Sequence, residues 1–408
     1  MRQSCRLCGN NKLTQFLDLG YTPPADTFLL KAQLDEPETY YPLKVLRCDS
    51  CMFVQLSYVV PQDVLYRNDY PYESSITRTG RKHFDDFAKV IVETYGLADT
   101  DLVIDVGSNV GVLLKGFQDR GCRVLGIEPA DNIAQIANKN NIQTESVFFS
   151  PDVAKKILSN YGKTKVITAS NVFAHIDDLN AVLECLDILL DDDGIFVIEA
   201  PYLANLISNL EYDTIYHEHL SYLSIKPLVP FFKNNGFEIF DIQQVDIHGG
   251  SIRIFVSRQS SRRISEKVSN MIKIENDNDI YSTNNLMSFS NNVKQNRSDL
   301  MSLLYSLKSD GKRIAAVSAP AKGMTLLNYC GIGKNILEFV TEKSNLKINK
   351  YTPGGHIKVL PDSALVTEEI DYALLLAWNF KDEIMGNLSE YRDAGGKFII
   401  PIPNPTIV

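Results

Sequence analysis

The stretch VIDVGSNVGVLL, residues 103–114, constrains the fold of this chain more than any other. A short apolar run passes Asp105, and Gly107, Ser108, Asn109 and Gly111 then turn the backbone sharply into a helix-like segment. Such a turn brings main-chain N–H groups to the edge of a sheet, where an open parallel α/β sheet holds its ligand. Spacing separates two ligand classes here. Asp105, Gly107 and Gly111 follow D/E-x-G-x-x-x-G, the pattern of S-adenosylmethionine enzymes, and not the G-x-G-x-x-G of dinucleotide binders. Seventeen residues beyond Gly111, Glu128 closes the next apolar run in GIEPA. A carboxylate at that point accepts hydrogen bonds from both ribose hydroxyls of a nucleoside. The turn and the acid together predict an S-adenosylmethionine site.

The surrounding pattern agrees. Apolar runs at 102–106, 124–127, 166–169 and 195–198 are separated by helix-like segments, which predicts a doubly wound parallel sheet. Runs at 237–245 and 251–256 flank Gly249-Gly250, a hairpin signal for antiparallel strands that close the sheet. Residues 259–300 are polar and rich in Asn and Ser, suited to helices and loops that bridge domains. A second alternation, at 313–317, 337–340, 357–360, 373–377 and 398–401, predicts a smaller α/β unit. A chain of 408 residues exceeds one ordinary core. The expected fold class is α/β in three parts: a zinc-ribbon-like module over 1–68, a class I methyltransferase Rossmann-like domain over 69–258, and a helical linker with a second Rossmann-like domain over 259–408.

The zinc expectation rests on Cys5-Arg6-Leu7-Cys8 and Cys48-Asp49-Ser50-Cys51, four of the seven cysteines. Each C-x-x-C turn points two thiolates at one tetrahedral centre, and two turns complete a closed four-sulfur shell. A closed shell leaves no position for water, so the metal is expected to be structural and to stand in for a core that so short a module cannot build alone. The formal net charge of −9 and the lack of a Lys/Arg-rich stripe argue against nucleic acid as a partner. No run approaches the eighteen or so apolar residues of a membrane span, and the N-terminus has no apolar leader, so a cytoplasmic protein with no membrane partner is expected.

Two segments carry candidate chemistry. TASNVFAHIDDL follows the strand at 166–169 and places Asn171 and His175 near a methyl donor. EYDTIYHEHLSY, residues 211–222, follows the strand in GIFVIEAPY, at a strand end where such sheets put ligands. His217 and His219 form an H-x-H that can chelate, although Glu218 between them points elsewhere on extended backbone. A loop histidine satisfied by a carbonyl is a second reading. The third is acid/base: a histidine beside a carboxylate and a tyrosine suits removal of a carbon-bound proton and stabilisation of the enolate.

The paired C-x-x-C motifs, NDYPYESS at 68–75, DVGSNVG, GIEP, NVFAHIDDL, YDTIYHEHLSYLS, HGGSIRIFV, APAKGMTLLNYCGI and LAWNF occur in this order along essentially the whole chain. In this the chain resembles the sugar 3-C-methyltransferases that act on nucleotide-linked 4-keto-deoxyhexoses. The resemblance implies S-adenosylmethionine as donor, a structural zinc outside the chemistry, and a nucleotide-diphosphate keto-sugar as substrate. It implies that His219 takes the C3 proton, that Tyr216 and Glu218 orient it and the sugar, and that Tyr70 and His175 line the pocket and hydrogen-bond the C4 oxyanion. Tyr72 and Tyr222 are expected to contact the substrate, and His217 to be structural. Lys322 and Thr325, where a strand meets a helix start, form a candidate diphosphate site. The chain departs from the family's usual N-D-G with Asn109-Val110-Gly111. Two alternatives stay open: O- or N-methyl transfer to an amino- or hydroxy-sugar, which predicts no solvent exchange at carbon, and a non-catalytic nucleotide-sugar-binding protein whose methyl-donor pocket is damaged by Val110. The nucleotide, the sugar and the oligomeric state are left open.

Overall fold

The computed structural model describes residues 2–66, 70–247 and 249–408. Asn68, Asp69 and His248 of the quoted motifs, and the 68/69 boundary, lie outside the described residues.

The N-terminal sheet begins with β1 (Leu13–Thr22), β2 (Tyr41–Cys48) and β3 (Val54–Leu56). Antiparallel pairing of β1 with β2 runs from Leu13↔Cys48 to Thr22↔Tyr41, with irregularities at Gln15/Leu17 and Asp18/Tyr21. Both cysteine pairs lie in tight turns. Gly9 N–H donates to Cys5 O at 3.0 Å and Met52 N–H to Cys48 O at 2.9 Å. Gly9 and Met52, each directly after the second cysteine of its pair, have φ of 71° and 68°.

The central sheet comprises β4 (Leu102–Val106), β5 (Arg123–Ile127), β6 (Thr144–Glu145), β7 (Thr164–Ser170) and β8 (Leu190–Pro201), closed by β10 (Phe237–Val245) and β11 (Ser251–Arg258). Between them β9 (Ser221–Tyr222) leaves this sheet and pairs antiparallel with β3. The order is β10-β11-β8-β7-β4-β5-β6. Strands β4 to β8 pair in parallel, while β11 runs antiparallel to both β8 and β10. Parallel strands covered on both faces read as continuous apolar runs, and all five residues of β4 are buried accordingly. The chain goes from β4 to β5 on one side and returns to β7 on the other, so the switch point lies between β4 and β7.

The helices Glu266–Asp277 and Thr283–Ser309 fill the polar stretch expected to bridge domains. On the second, Leu286, Phe289, Val293, Leu300 and Leu304 form a buried stripe at helical spacing. The third sheet follows: β12 (Ile314–Val317), β13 (Val340–Glu342), β14 (Val359–Pro361), β15 (Tyr372–Leu375), β16 (Lys397–Ile400) and β17 (Thr406–Ile407). Its order is β14-β13-β12-β15-β16-β17, parallel except for β17, so it too is doubly wound, with a switch point between β12 and β15. The strand expected at 337–340 begins only at Val340, because Ile336 and Leu337 are buried in the preceding loop.

The N-terminal module does not rely on metal alone for its interior. Phe16, Leu17, Leu43 and Val45 share one apolar cluster with Phe289, Met324 and Leu326. Cys5, Cys48 and Phe53 share another with Leu223, Ile225 and the central sheet. Among the described residues no helix is long and apolar enough to cross a membrane.

Candidate active site

A cavity of about 410 Å³ opens where the two switch points face each other. On the donor side, Gly107 turns with φ 66° and its N–H donates to Ile127 O at 2.7 Å. A Cβ there would sit 2.3 Å from Val172 Cγ2, so no larger residue fits. Glu128, at the end of β5, accepts Asn109 N–H at 3.0 Å on one oxygen and Ala130 N–H at 2.9 Å on the other. Burial raises its pKa, and those two bonds oppose the rise. Asp105 accepts the Thr168 hydroxyl at 2.6 Å, and burial pushes it up to about 7. The Asn109 side chain ties a second segment over this turn, donating to Tyr72 O at 3.0 Å and accepting Ser74 N–H at 2.8 Å. Ser108 Oγ lines the cavity, buried and without a partner. An oriented carboxylate at a strand end with an unspent hydroxyl beside it fits an adenosyl ligand, and Asp105, Ser108, Asn109, Glu128 and Asn171 are the cavity residues that would hold it.

The reacting side is built by the turns of 211–220. The helical turn Tyr212–Thr214 ends so that Thr214 O accepts the His219 ring at Nδ1, 2.7 Å away. A carbonyl only accepts, so Nδ1 carries the hydrogen and Nε2 is the ring's basic nitrogen. Tyr216 lies against this ring at 4.0 Å between centroids, and His175 at 5.0 Å. His175 Nε2 is buried without a partner, and burial holds this ring down to about 4. The Tyr70 hydroxyl donates to Glu218 Oε2 at 3.1 Å. Burial, then the Asp26 carboxylate, push Glu218 well above the usual carboxylate range, which favours its neutral form. His217 turns the opposite way, to Tyr41 O at 3.3 Å. The two rings of H-x-H therefore face different surroundings and share no metal.

The third domain supplies the far wall. Lys322 lines the cavity but is engaged: its Nζ is 3.4 Å from Asp213 Oδ2 and 4.2 Å from the Trp378 ring centroid. Trp378 Nε1 donates to that same oxygen at 2.7 Å. Lys347 Nζ bonds Asp26 Oδ1 at 3.2 Å and Ala319 O at 2.7 Å, a buried ion pair between the first and last parts of the chain. Glu342, at the end of β13, repeats the arrangement of Glu128. It accepts Ala319 N–H at 2.9 Å, from the turn after β12, and Lys343 and Ser344 N–H at 2.7 and 3.2 Å.

Away from the cavity, Cys5, Cys8, Cys48 and Cys51 gather with their sulfurs within 4.8 Å of one another, the expected ligand set for zinc. Sulfur separations of 3.5 Å for Cys5–Cys51 and 3.6 Å for Cys8–Cys48 suit a tetrahedral shell.

Comparison with known proteins finds three family models along the chain. Residues 5–66 match the family described as "Putative zinc binding domain", residues 81–242 "Methyltransferase domain", and residues 246–403 "C-methyltransferase C-terminal domain". C-methyltransferase NovU of Streptomyces niveus is 34% identical over 405 residues, covering 99% of this chain and 96% of that one. The chain belongs to the C-methyltransferase family. Two solved structures are also similar over part of the chain. The PH0226 protein of Pyrococcus horikoshii is 13% identical over 46% of this chain and 95% of its own, with a TM-score of 0.37. Magnesium protoporphyrin IX methyltransferase of Synechocystis, solved with bound SAH, is 14% identical over 46% and 90%, with a TM-score of 0.35.

The protein is thus an S-adenosylmethionine-dependent C-methyltransferase with a four-cysteine zinc module, and the O- or N-methyl and binding-only alternatives give way. Within this C-methyltransferase the cavity brings together Tyr70, Tyr72, His175, Tyr216, Glu218, His219 and Lys322 with the donor residues. Three expected residues lie outside its lining. Tyr222 pairs through β9 with Val54 and is buried in the core. Thr325 is on the inner face of the helix Ala321–Cys330, one turn past Lys322. Gly111 closes the turn with φ 82° and packs on Ile142, clear of the cavity wall. Val110 is buried beside Ala130 and Ile133, with Tyr70 packed against them. Sequence reasoning missed Tyr66, Asp26, Lys347 and Glu342. Glu342 alone had a local signal, an acid ending the second strand of a doubly wound unit.

Proposed function

We propose that this C-methyltransferase acts on C3 of a nucleotide-linked 4-keto-6-deoxy sugar and yields a 3-C-methyl branched sugar. The observation that carries the reading is that one cavity is lined by Glu128, by His219 and by Glu342. Two acids in equivalent places of two doubly wound sheets suit two nucleosides, one of the methyl donor and one of the sugar carrier. S-adenosylmethionine supplies an electrophilic methyl group when bound.

Carbon becomes a nucleophile only after losing a proton, and an adjacent ketone makes that loss feasible. In the proposed reaction His219 Nε2 accepts the C3 proton, with Nδ1–H held by Thr214 O so that the rising positive charge on the ring is stabilised. Negative charge moves to the C4 oxygen. Neutral Glu218, the Tyr70 hydroxyl and the unpartnered His175 Nε2 are the groups suited to stabilise it. Lys322 and Lys347 line the same cavity, each paired with a carboxylate, Asp213 and Asp26, so a diphosphate there would have to share or displace those partners.

The test uses a panel of nucleotide-linked 4-ketohexoses in deuterated water, with and without donor. Expected are deuterium at C3 without donor, and a product one methyl heavier, carbon-linked by NMR, with it. Methylation of a carbon not adjacent to a ketone, or no exchange with any 4-keto sugar, would overturn the reading.

A further inference from the structure

We propose that Arg6, inside the first cysteine pair, is a positioning residue that sets the geometry of the two histidines at the reacting site. A C-x-x-C turn needs its thiolates and its main-chain N–H groups, and the residues between them normally face water. Arg6 is instead only 3% exposed. Its Nε donates to Asp177 Oδ1 at 2.9 Å, and its Nη1 to Leu56 O at 3.1 Å and Leu220 O at 3.0 Å. Asp177 is two residues past His175, and Leu220 directly follows His219. One guanidinium therefore holds both chain segments whose rings pack against each other, 5.0 Å between centroids, in the cavity wall.

A buried charge is a costly way to join two modules. Taking a guanidinium out of water is offset only by well-placed partners, here one carboxylate and two carbonyls. A plain tie already exists, because Leu56 N–H donates to Leu220 O at 2.9 Å and β3 pairs with β9. What the planar fork adds is direction: several donors at fixed angles reach acceptors on two separate segments, which one ammonium cannot reproduce. Displacement of a reacting group by about 1 Å costs on the order of a hundredfold in rate. The cysteine turn thus acts as the rigid base from which the histidines are held.

The proposal rests on His219 and His175 serving the reaction, so its test includes a readout that needs no substrate. In full-length, zinc-loaded protein, Arg6→Lys removes the fork, and Asp177→Asn, at a side chain 35% exposed, removes only the carboxylate charge. Zinc content and S-adenosylhomocysteine affinity are expected to stay within twofold. Long-range ¹H–¹⁵N spectra of the histidine rings, with His219→Asn marking its signal, are expected to change from one Nδ1–H tautomer to an exchange-averaged ring. Turnover is expected to fall at least tenfold with the KM for donor unchanged. Folded variants with an unaltered His219 ring signal, a changed signal with unchanged turnover, or loss of fold in both variants would overturn it. Should no keto-sugar be methylated even by the unsubstituted enzyme, the ring spectra alone decide about Arg6.

Discussion

His219 and His217 are two residues apart, yet their rings meet different atoms. The Nδ1–H of His219 is committed to a carbonyl, so Nε2 is the basic nitrogen and the atom proposed above to take the proton. His219→Ala is expected to lower kcat by about 10²–10⁴-fold and abolish exchange at C3, with S-adenosylhomocysteine affinity unchanged by calorimetry. His175 and His217 are both held down to about 4 by burial. Unfolded, such rings titrate near 6.5, so between these values the unfolded chain binds protons that the folded chain refuses. Stability is full above about 6.5 and declines as pH falls toward 4. Urea unfolding is expected to show a loss of roughly 2 kcal/mol per ring between pH 7 and pH 5, and His217→Gln should remove one share of that slope. The expectation that favoured His219 over His217 came from the family resemblance, and the two rings do have different partners. Tyr66, Asp26 and Lys347 were not, because nothing adjacent to them in the chain marks a residue that long-range packing brings to a cavity.

At the level of elements, strands and turns were legible where the signal is local. The runs at 102–106 and 237–245 appear as β4 and β10, and the four cysteines meet as their spacing requires. The third-domain strand at β13 starts later than its apolar run, since a buried loop and a buried strand are equally apolar. The zinc module is where an element-level prediction has most force. Cys48 is fully buried and its module shares apolar clusters with both other domains. Cys48→Ser is therefore expected to lose zinc and to lower the melting transition of the whole protein, including the third domain. Zinc release measured alongside thermal unfolding checks this, and a zinc-free variant with an unchanged melting curve would contradict it.

Across the whole molecule, two doubly wound sheets present their strand ends to one cavity, each with an acid ending its second strand. This suggests separable sites. Glu128→Gln is expected to weaken S-adenosylhomocysteine at least tenfold and leave nucleoside diphosphate binding within twofold. Glu342→Gln should do the reverse. Calorimetry of both variants with both ligands reads the outcome, and equal losses for either ligand would mean that the acids are turn supports alone.

The amino-acid sequence by itself determined the donor turn, the two cysteine turns and where most strands of the two α/β sheets lie along the chain. Each depends on residues a few positions apart, where covalent geometry and hydrophobic periodicity carry the information. Only the tertiary structure decided that Asp26 pairs with Lys347, 321 residues away, that Glu218 has Asp26 for a neighbour, and that Arg6 reaches both histidine segments. Desolvation and charge pairing act through space, and their strength is set by which distant segments close around a group.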